Sequence, residues 1–381
     1  MAKFRFAGRV IKKNKTYVDF PYLITVCIMI AFGLIMVFSA SSAVSVRLHG
    51  DSWAIFRQQA AWVAVGAIGM FVASNYDYKK LGKWANIGLG ITIVMHIAVL
   101  IPGLGISVGG ATRWLGTQSV RFQPSEFAKI ALILFFARHL STNASKLKTF
   151  KGLLFPYMVV IGIMGGLLMF QPHFSATLLI SVTLIVMLFV AGAKLWHFAV
   201  ISAPAVPLLI WLVISAPYRL RRITAFLDPF NPEFVREESF QIVQSLYAIG
   251  SGGIFGVGLG RSRQKFLYLP EPHNDFIFSV IAEELGWIGV ILVISLFIFL
   301  IKRGIKIAAN APDAFGTFLA VGITTLIGFQ ALVNIAVVTS SMPVTGMQLP
   351  FFSYGGTAMA VIMTAMGVML NISRQSSATQ L

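Results

Sequence analysis

The chain has 381 residues, of which 57% are hydrophobic and only 11% charged, with a formal charge of +17. Soluble domains average about 25% charged residues, and repeated apolar runs near twenty residues mark membrane-crossing helices. A soluble enzyme and a single-anchor protein are excluded. So is a nucleic-acid binder, because the basic residues sit in short segments between apolar runs, where they set membrane orientation.

The chain opens with MAKFRFAGRVIKKNKTYVDF, a basic tail over 1–20 that leads into a full-length span without a signal-peptide pattern. Apolar runs predict ten transmembrane helices, over 22–42, 58–76, 84–101, 124–140, 153–170, 175–192, 195–215, 276–301, 315–339 and 357–373. Ten crossings put both termini on one side. That side carries 18 Lys and Arg and the short loops opposite carry 4, so the tails 1–20 and 374–381 are expected in the cytoplasm. The single cysteine, Cys27, lies in the first span and reads as a packing residue. The expected fold is an all-α polytopic integral membrane protein, one domain over 1–381.

Before the fourth span stands GGATRWLGTQSVRFQPSEFAKIALILFFARHL (109–140). Pro124 opens a helix, with Ser125 and Glu126 in its first turn. Lys129 follows Glu126 by three residues, so the two can pair on one face, and an intramembrane lysine needs such a partner. Glu126–Lys129 therefore reads as a structural ion pair. Arg113, Trp114 and Arg121 lie just outside the membrane, and Trp114 by position alone reads as an interface residue.

Residues 216–275, between the seventh and eighth spans, form the one long loop, extracytoplasmic, with seven basic and six acidic residues. Long loops in compact proteins are usually functional. Within it, AIGSGGIFGVGLGRSRQKF (248–266) holds six glycines. It has no G-x-G-x-x-G register, strand or Walker pattern, which rejects nucleotide binding. Either the backbone and Arg261, Arg263 and Lys265 approach a phosphate, or the segment is a flexible turn.

PEPHNDFIFSVIAEELG (270–286) places His273, Asp275, Glu283 and Glu284 around the outer end of the eighth span. At about 100° per residue, Glu283 lies roughly 80° from Asp275 and Glu284 opposite it. Asp275 reads as a helix cap or as a functional carboxylate. Each glutamate needs a partner or a role at membrane depth. SSMPVTGMQLPFFSYGGTAMA (340–360) is a bent outer loop without Lys or Arg. The six histidines show no zinc spacing, and no metal-ligand set is expected.

One carboxylate, Asp275, and cations including Arg113, Arg219, Arg222 and Lys265 thus gather on the outer side. A lipid with a phosphate headgroup suits that surface. A departing pyrophosphate needs positive charge rather than a proton, so one carboxylate would suffice as base.

GATRWL with QPSEFAKIA, AFLDPF, QSLYAIGSGGIFGVGLG, LPEPHNDFIFSVIAEELG and MPVTGMQLPFFSYGG together resemble the SEDS family (FtsW, RodA and SpoVE), in family order across nearly the whole chain. The wording is closer to FtsW and SpoVE. The resemblance implies a peptidoglycan glycosyltransferase in the bacterial plasma membrane. It would polymerise lipid II into glycan strands and release undecaprenyl diphosphate, in division, elongation or sporulation. It also implies a class B penicillin-binding protein as partner, with divisome or elongasome membrane proteins around it. It places the family's essential aspartate on Asp275, its Glu–Lys pair on Glu126 and Lys129, and its motif tryptophan on Trp114. The substrate-binding candidates are Arg113, Trp114, Arg219, Arg222 and Lys265. A divalent cation (Mg or Mn) stays open as a cofactor. The chain departs from the family at QPHFSAT, where His173 stands in place of an aspartate, which puts a catalytic role for that position in doubt. The alternatives are a lipid II flippase, for which repeated halves are lacking, and a non-catalytic scaffold.

Overall fold

A computed structural model describes residues 18–108, 111–117, 121–153, 157–215, 217–235, 237, 239–266 and 268–376. The helices are α1 (Phe20–His49), α2 (Ala54–Asn75), α3 (Tyr78–Leu81), α4 (Ala85–Leu100), α5 (Pro124–Asn143), α6 (Phe150–Leu153), α7 (Val159–Phe170), α8 (Phe174–Val190), α9 (Leu195–Ile214), α10 (Pro217–Leu227), α11 (Phe240–Gly252), α12 (Ile277–Ala309), α13 (Ala314–Val338) and α14 (Gly356–Gln375). A helix stands at each of the ten expected segments. Six of those described, with α3 and α4 taken together as Tyr78–Leu100, are long and apolar enough to cross a membrane. The protein is a multi-pass membrane protein.

α13 is the hub, packed on α5, α8 and α12, while α14 lies along α2 and α1 along α12. A small antiparallel sheet, which the all-α expectation did not include, joins α4 to α5. Its strands are β1 (Ile106–Val108), β2 (Ala111–Gly116) and β3 (Arg121–Phe122), in the order β1-β2-β3, with Ile106 opposite Trp114 and Gly116 opposite Arg121.

The long loop is folded. α11 packs along the start of α12, with Ser245 Oγ 2.8 Å from Ser279 Oγ. α12 breaks at Gly286, whose φ of 63° and ψ of −160° suit only glycine. A break inside a membrane strands backbone polar groups unless other atoms replace the lost bonds. The glycine-rich segment does so reciprocally. Val257 N and Gly258 N donate to the carbonyls of Glu283 and Glu284, each at 3.0 Å. Trp287 N and Ile288 N donate to Gly253 O and Ile254 O, at 3.0 and 3.3 Å. The approach needs bare backbone: a Cβ on Gly256 would stand 2.1 Å from Glu284 O. The glycines thus form neither a phosphate loop nor a free turn. They splice α11 and the segment that follows it into the gap in α12.

Candidate active site

The site begins with α5. Pro124 occupies its first turn, Glu126 follows in that turn, and Lys129 Nζ lies 2.7 Å from Glu126 Oε1. Both side chains are about nine-tenths buried, so the pair formed as expected. Its location is more telling than its existence. It lines a cavity of about 190 Å³ that also takes in Arg113, Trp114, His173 and Asp275. Residues from β2, α5, the α7–α8 turn and the start of α12 thus converge.

Asp275 precedes α12 and is partly exposed to this cavity. The helix cap position belongs to Phe276 and makes no side-chain capping bond, so Asp275 does not serve as a cap. Among the described residues no donor is hydrogen-bonded to its carboxylate. Its backbone, by contrast, is clamped. The carbonyls of His273, Asn274 and Asp275 accept in turn from Tyr354 N (2.8 Å), Ser353 Oγ (2.7 Å) and Asn334 Nδ2 (2.7 Å). Asn334 Nδ2 also donates to Met347 O at 2.6 Å, tying the 340–355 loop to the same point. The main chain is fixed while the carboxylate stays available. Burial, and after it the charge of Glu271, push the Asp275 carboxyl up to about 6, with Arg113 opposing.

Arg113 reaches back from β2 and donates to the carbonyls of Gln171 (3.3 Å) and Pro172. These contacts hold the α7–α8 turn, and with it His173, against the cavity. His173 is buried, with Nδ1 unsatisfied. Burial, and after it the cations of Arg113 and Lys129, push its imidazole down to about 3, so it is neutral at physiological pH. The site therefore has an uncharged, unpaired ring beside two cations.

Among the described residues, no group of three or more His, Cys, Asp or Glu could hold a metal ion. The cavity also carries oxygen donors on Glu126, Gln123, Gln330 and Gln348, and no step is derived through a metal.

This constellation sits in a chain that matches the FtsW/RodA/SpoVE model, described as "Cell cycle protein", over residues 20–378. The chain belongs to the FtsW/RodA/SpoVE family. It is 42% identical over 363 residues to "Stage V sporulation protein E" of Bacillus subtilis (strain 168), covering 95% of this chain and 99% of that one. It is 43% identical over 356 residues to "Probable peptidoglycan glycosyltransferase FtsW" of Geobacter sp. (strain M18), covering 93% and 96%. Among solved structures it resembles a chain described as "Structural coordination of polymerization and crosslinking by a peptidoglycan synthase complex". The TM-score is 0.78 and the identity 26%, covering 94% of this chain and 98% of that one. It also resembles the rod shape determining protein RodA of Thermus thermophilus, with a TM-score of 0.70 and 25% identity over 94% and 97%.

Of the candidates read from this family member's sequence, Asp275, Arg113, Trp114, Glu126 and Lys129 share one cavity. Arg219 and Arg222 lie on α10, and their side chains fall outside the described residues. Lys265 requires correction. It is not at the surface facing a phosphate but is 1% exposed, with Nζ 2.9 Å from Glu284 Oε1 and 3.1 Å from Ser39 Oγ. Glu283 accepts from Ser262 Oγ (2.5 Å) and Arg263 N (2.8 Å). The two membrane-depth glutamates thus hold the segment after α11 and do not line the cavity. Sequence reasoning missed Asn334 and Ser353, which lie 59 and 79 residues from the carbonyls they hold and carry no local signal.

Proposed function

We propose that this protein is a peptidoglycan glycosyltransferase that polymerises lipid II at the outer face of the bacterial plasma membrane, with Asp275 as general base. The observation that carries the proposal is a partly buried carboxylate without a hydrogen-bond partner among the described residues, on a clamped backbone, in a cavity shared with Arg113 and Lys129. Support comes also from the relatives named for this activity.

Asp275 takes the proton from the acceptor sugar's 4-hydroxyl while that oxygen forms a bond to the donor's anomeric carbon. The bond from that carbon to the diphosphate oxygen breaks, and its electron pair leaves with undecaprenyl diphosphate. The leaving group departs as an anion, so it calls for positive charge and no acid. Arg113 supplies that charge, replacing Lys265 in this role. A pKa near 6 suits the base, ionised at neutral pH and still basic enough to accept a proton.

Both termini lie in the cytoplasm and the chain crosses ten times, on the charge asymmetry of its short loops. A crosslinking penicillin-binding protein is the proposed partner, consistent with the synthase complex that the fold resembles. The process served is division, elongation or sporulation. A flippase would need polar groups lining a path through the membrane. Glu283, Glu284 and Lys265 instead bond to one another's segments and are closed off from solvent. Polymerisation of purified lipid II by the purified protein tests the reading, and absence of polymer with a folded protein would reject it.

A further inference from the structure

α5 leads from the Asp275 cavity to a second one. Its 20 residues span about 30 Å, so its C-terminal end lies at the opposite membrane face, which the charge asymmetry assigns to the cytoplasm. There its last turns and the start of α4 enclose about 310 Å³, lined by Gly82, Lys83, Asn86, Arg138, His139 and Asn143 among others. Every lining residue is polar or glycine, and none is acidic.

Two cations on this side have carboxylate partners. Lys79 lies 3.5 Å from Asp313, and Arg303 lies 2.6 Å from Asp19. Lys83 and Arg138 make no ion pair among the described residues. The stem of Arg138 lies over the bare backbone of Gly82, where a Cβ would come within 3.3 Å of Arg138 Cδ. The neutral groups are already ordered. His139 packs on the Phe135 ring at 4.2 Å and holds its Nε2 3.1 Å from Asn86 Oδ1, while Asn143 Nδ2 donates to His139 O at 3.3 Å. Deeper along α4, Ile87, Ile91 and Val94 are exposed on successive turns, an apolar face leading away from the cavity.

We propose that this cavity binds the phosphate headgroup of an anionic membrane phospholipid, with its acyl chains along the Ile87–Ile91–Val94 face. Basic pockets between helices at the cytoplasmic surface have the chemistry for such headgroups, and here two cations without an ion pair among the described residues adjoin an exposed apolar wall. The site is separate from the Asp275 cavity and does not depend on the reaction assigned to it.

The test uses the full chain in detergent, titrated with phosphatidylglycerol, phosphatidylcholine or inorganic phosphate and followed by melting temperature. Phosphatidylglycerol should stabilise the parent, and phosphatidylcholine and inorganic phosphate should not. Lys83→Gln with Arg138→Gln should weaken phosphatidylglycerol binding about thirty-fold, at the typical worth of two surface cations. Lys151→Gln, which removes an exposed cation from the same side, should leave it unchanged. If the double variant folds poorly, Asn86→Cys in a Cys27→Ser background gives a second reading: phosphatidylglycerol should slow its alkylation. Parental affinity in the double variant, equal loss in Lys151→Gln or unslowed alkylation would overturn the site. Equal stabilisation by inorganic phosphate would overturn the lipid as its ligand.

Discussion

Asp275 combines an open carboxylate with a pKa of about 6, and this has two consequences of opposite sign. As a base it works only when ionised, so kcat/KM should rise with pH through about 6 and level off above it. As a buried acid it binds its proton more tightly in the native state than in the unfolded chain. Its contribution to stability is therefore present at low pH and is lost as pH rises through about 6. Asp275→Asn removes that loss, so its melting temperature at neutral pH should match or exceed the parent's while polymer formation falls. A pH-independent kcat/KM between 5 and 8, the range that brackets this pKa, would argue against the base assignment. The Glu126–Lys129 pair makes a different prediction. Removing one partner of a buried pair costs roughly 3–5 kcal/mol, so Glu126→Ala should lower the melting temperature together with activity. Unchanged stability with activity abolished would show instead that the pair acts on substrate. Both Asp275 and this pair were legible in the sequence, because charge in an apolar chain is costly and stands out. His173 was visible only as a departure from a pattern. Its neutral state depends first on burial and then on Arg113 and Lys129, which are 60 and 44 positions away and meet it only in the fold.

At the scale of elements, two devices position the catalytic corner. One is the spliced break in α12. Lys265→Met leaves Glu284 buried without its cation and should cost roughly 3–5 kcal/mol, and Glu284→Gln in the same chain should recover much of it. Additive losses, measured by thermal melting of all four proteins, would contradict direct pairing. Gly286→Ala forces a side chain into a glycine-only conformation 2.4 Å from Gly256 N and should sharply lower the yield of folded protein. The other device is the clamp on three consecutive carbonyls. Asn334→Ala should reduce polymerisation by up to about 10²-fold through misplacement of Asp275, with binding of the penicillin-binding protein intact. The helices themselves could be read from apolar length, since hydropathy does not depend on tertiary partners. The break and the clamp could not. A glycine in an apolar helix is common, and whether it kinks depends on a loop segment some thirty residues away supplying the replacement bonds. The small sheet escaped notice for a related reason: its strands have two to six residues, too short for an alternating pattern.

For the whole molecule, orientation is the assumption beneath the function. Glu233→Cys, exposed in the long loop, should react with a membrane-impermeant thiol reagent in intact cells in a Cys27→Ser background. Lys80→Cys should react only after permeabilisation. The reverse result would place the Asp275 cavity on the wrong face for polymer assembly. Among the described residues, the buried Glu284–Lys265 cluster is taken up in holding the fold, which favours the proposed catalysis over transport. The central claim is that the carboxylate of Asp275 performs the transfer itself. The most direct measurement is polymerisation of purified lipid II by the parent and by Asp275→Asn, each with a penicillin-binding partner whose own active site is disabled. Base catalysis is worth about 10²–10⁴-fold, so the parent should build glycan strands and the folded, partner-bound asparagine variant should build almost none. Near-parental polymer from Asp275→Asn would contradict the account.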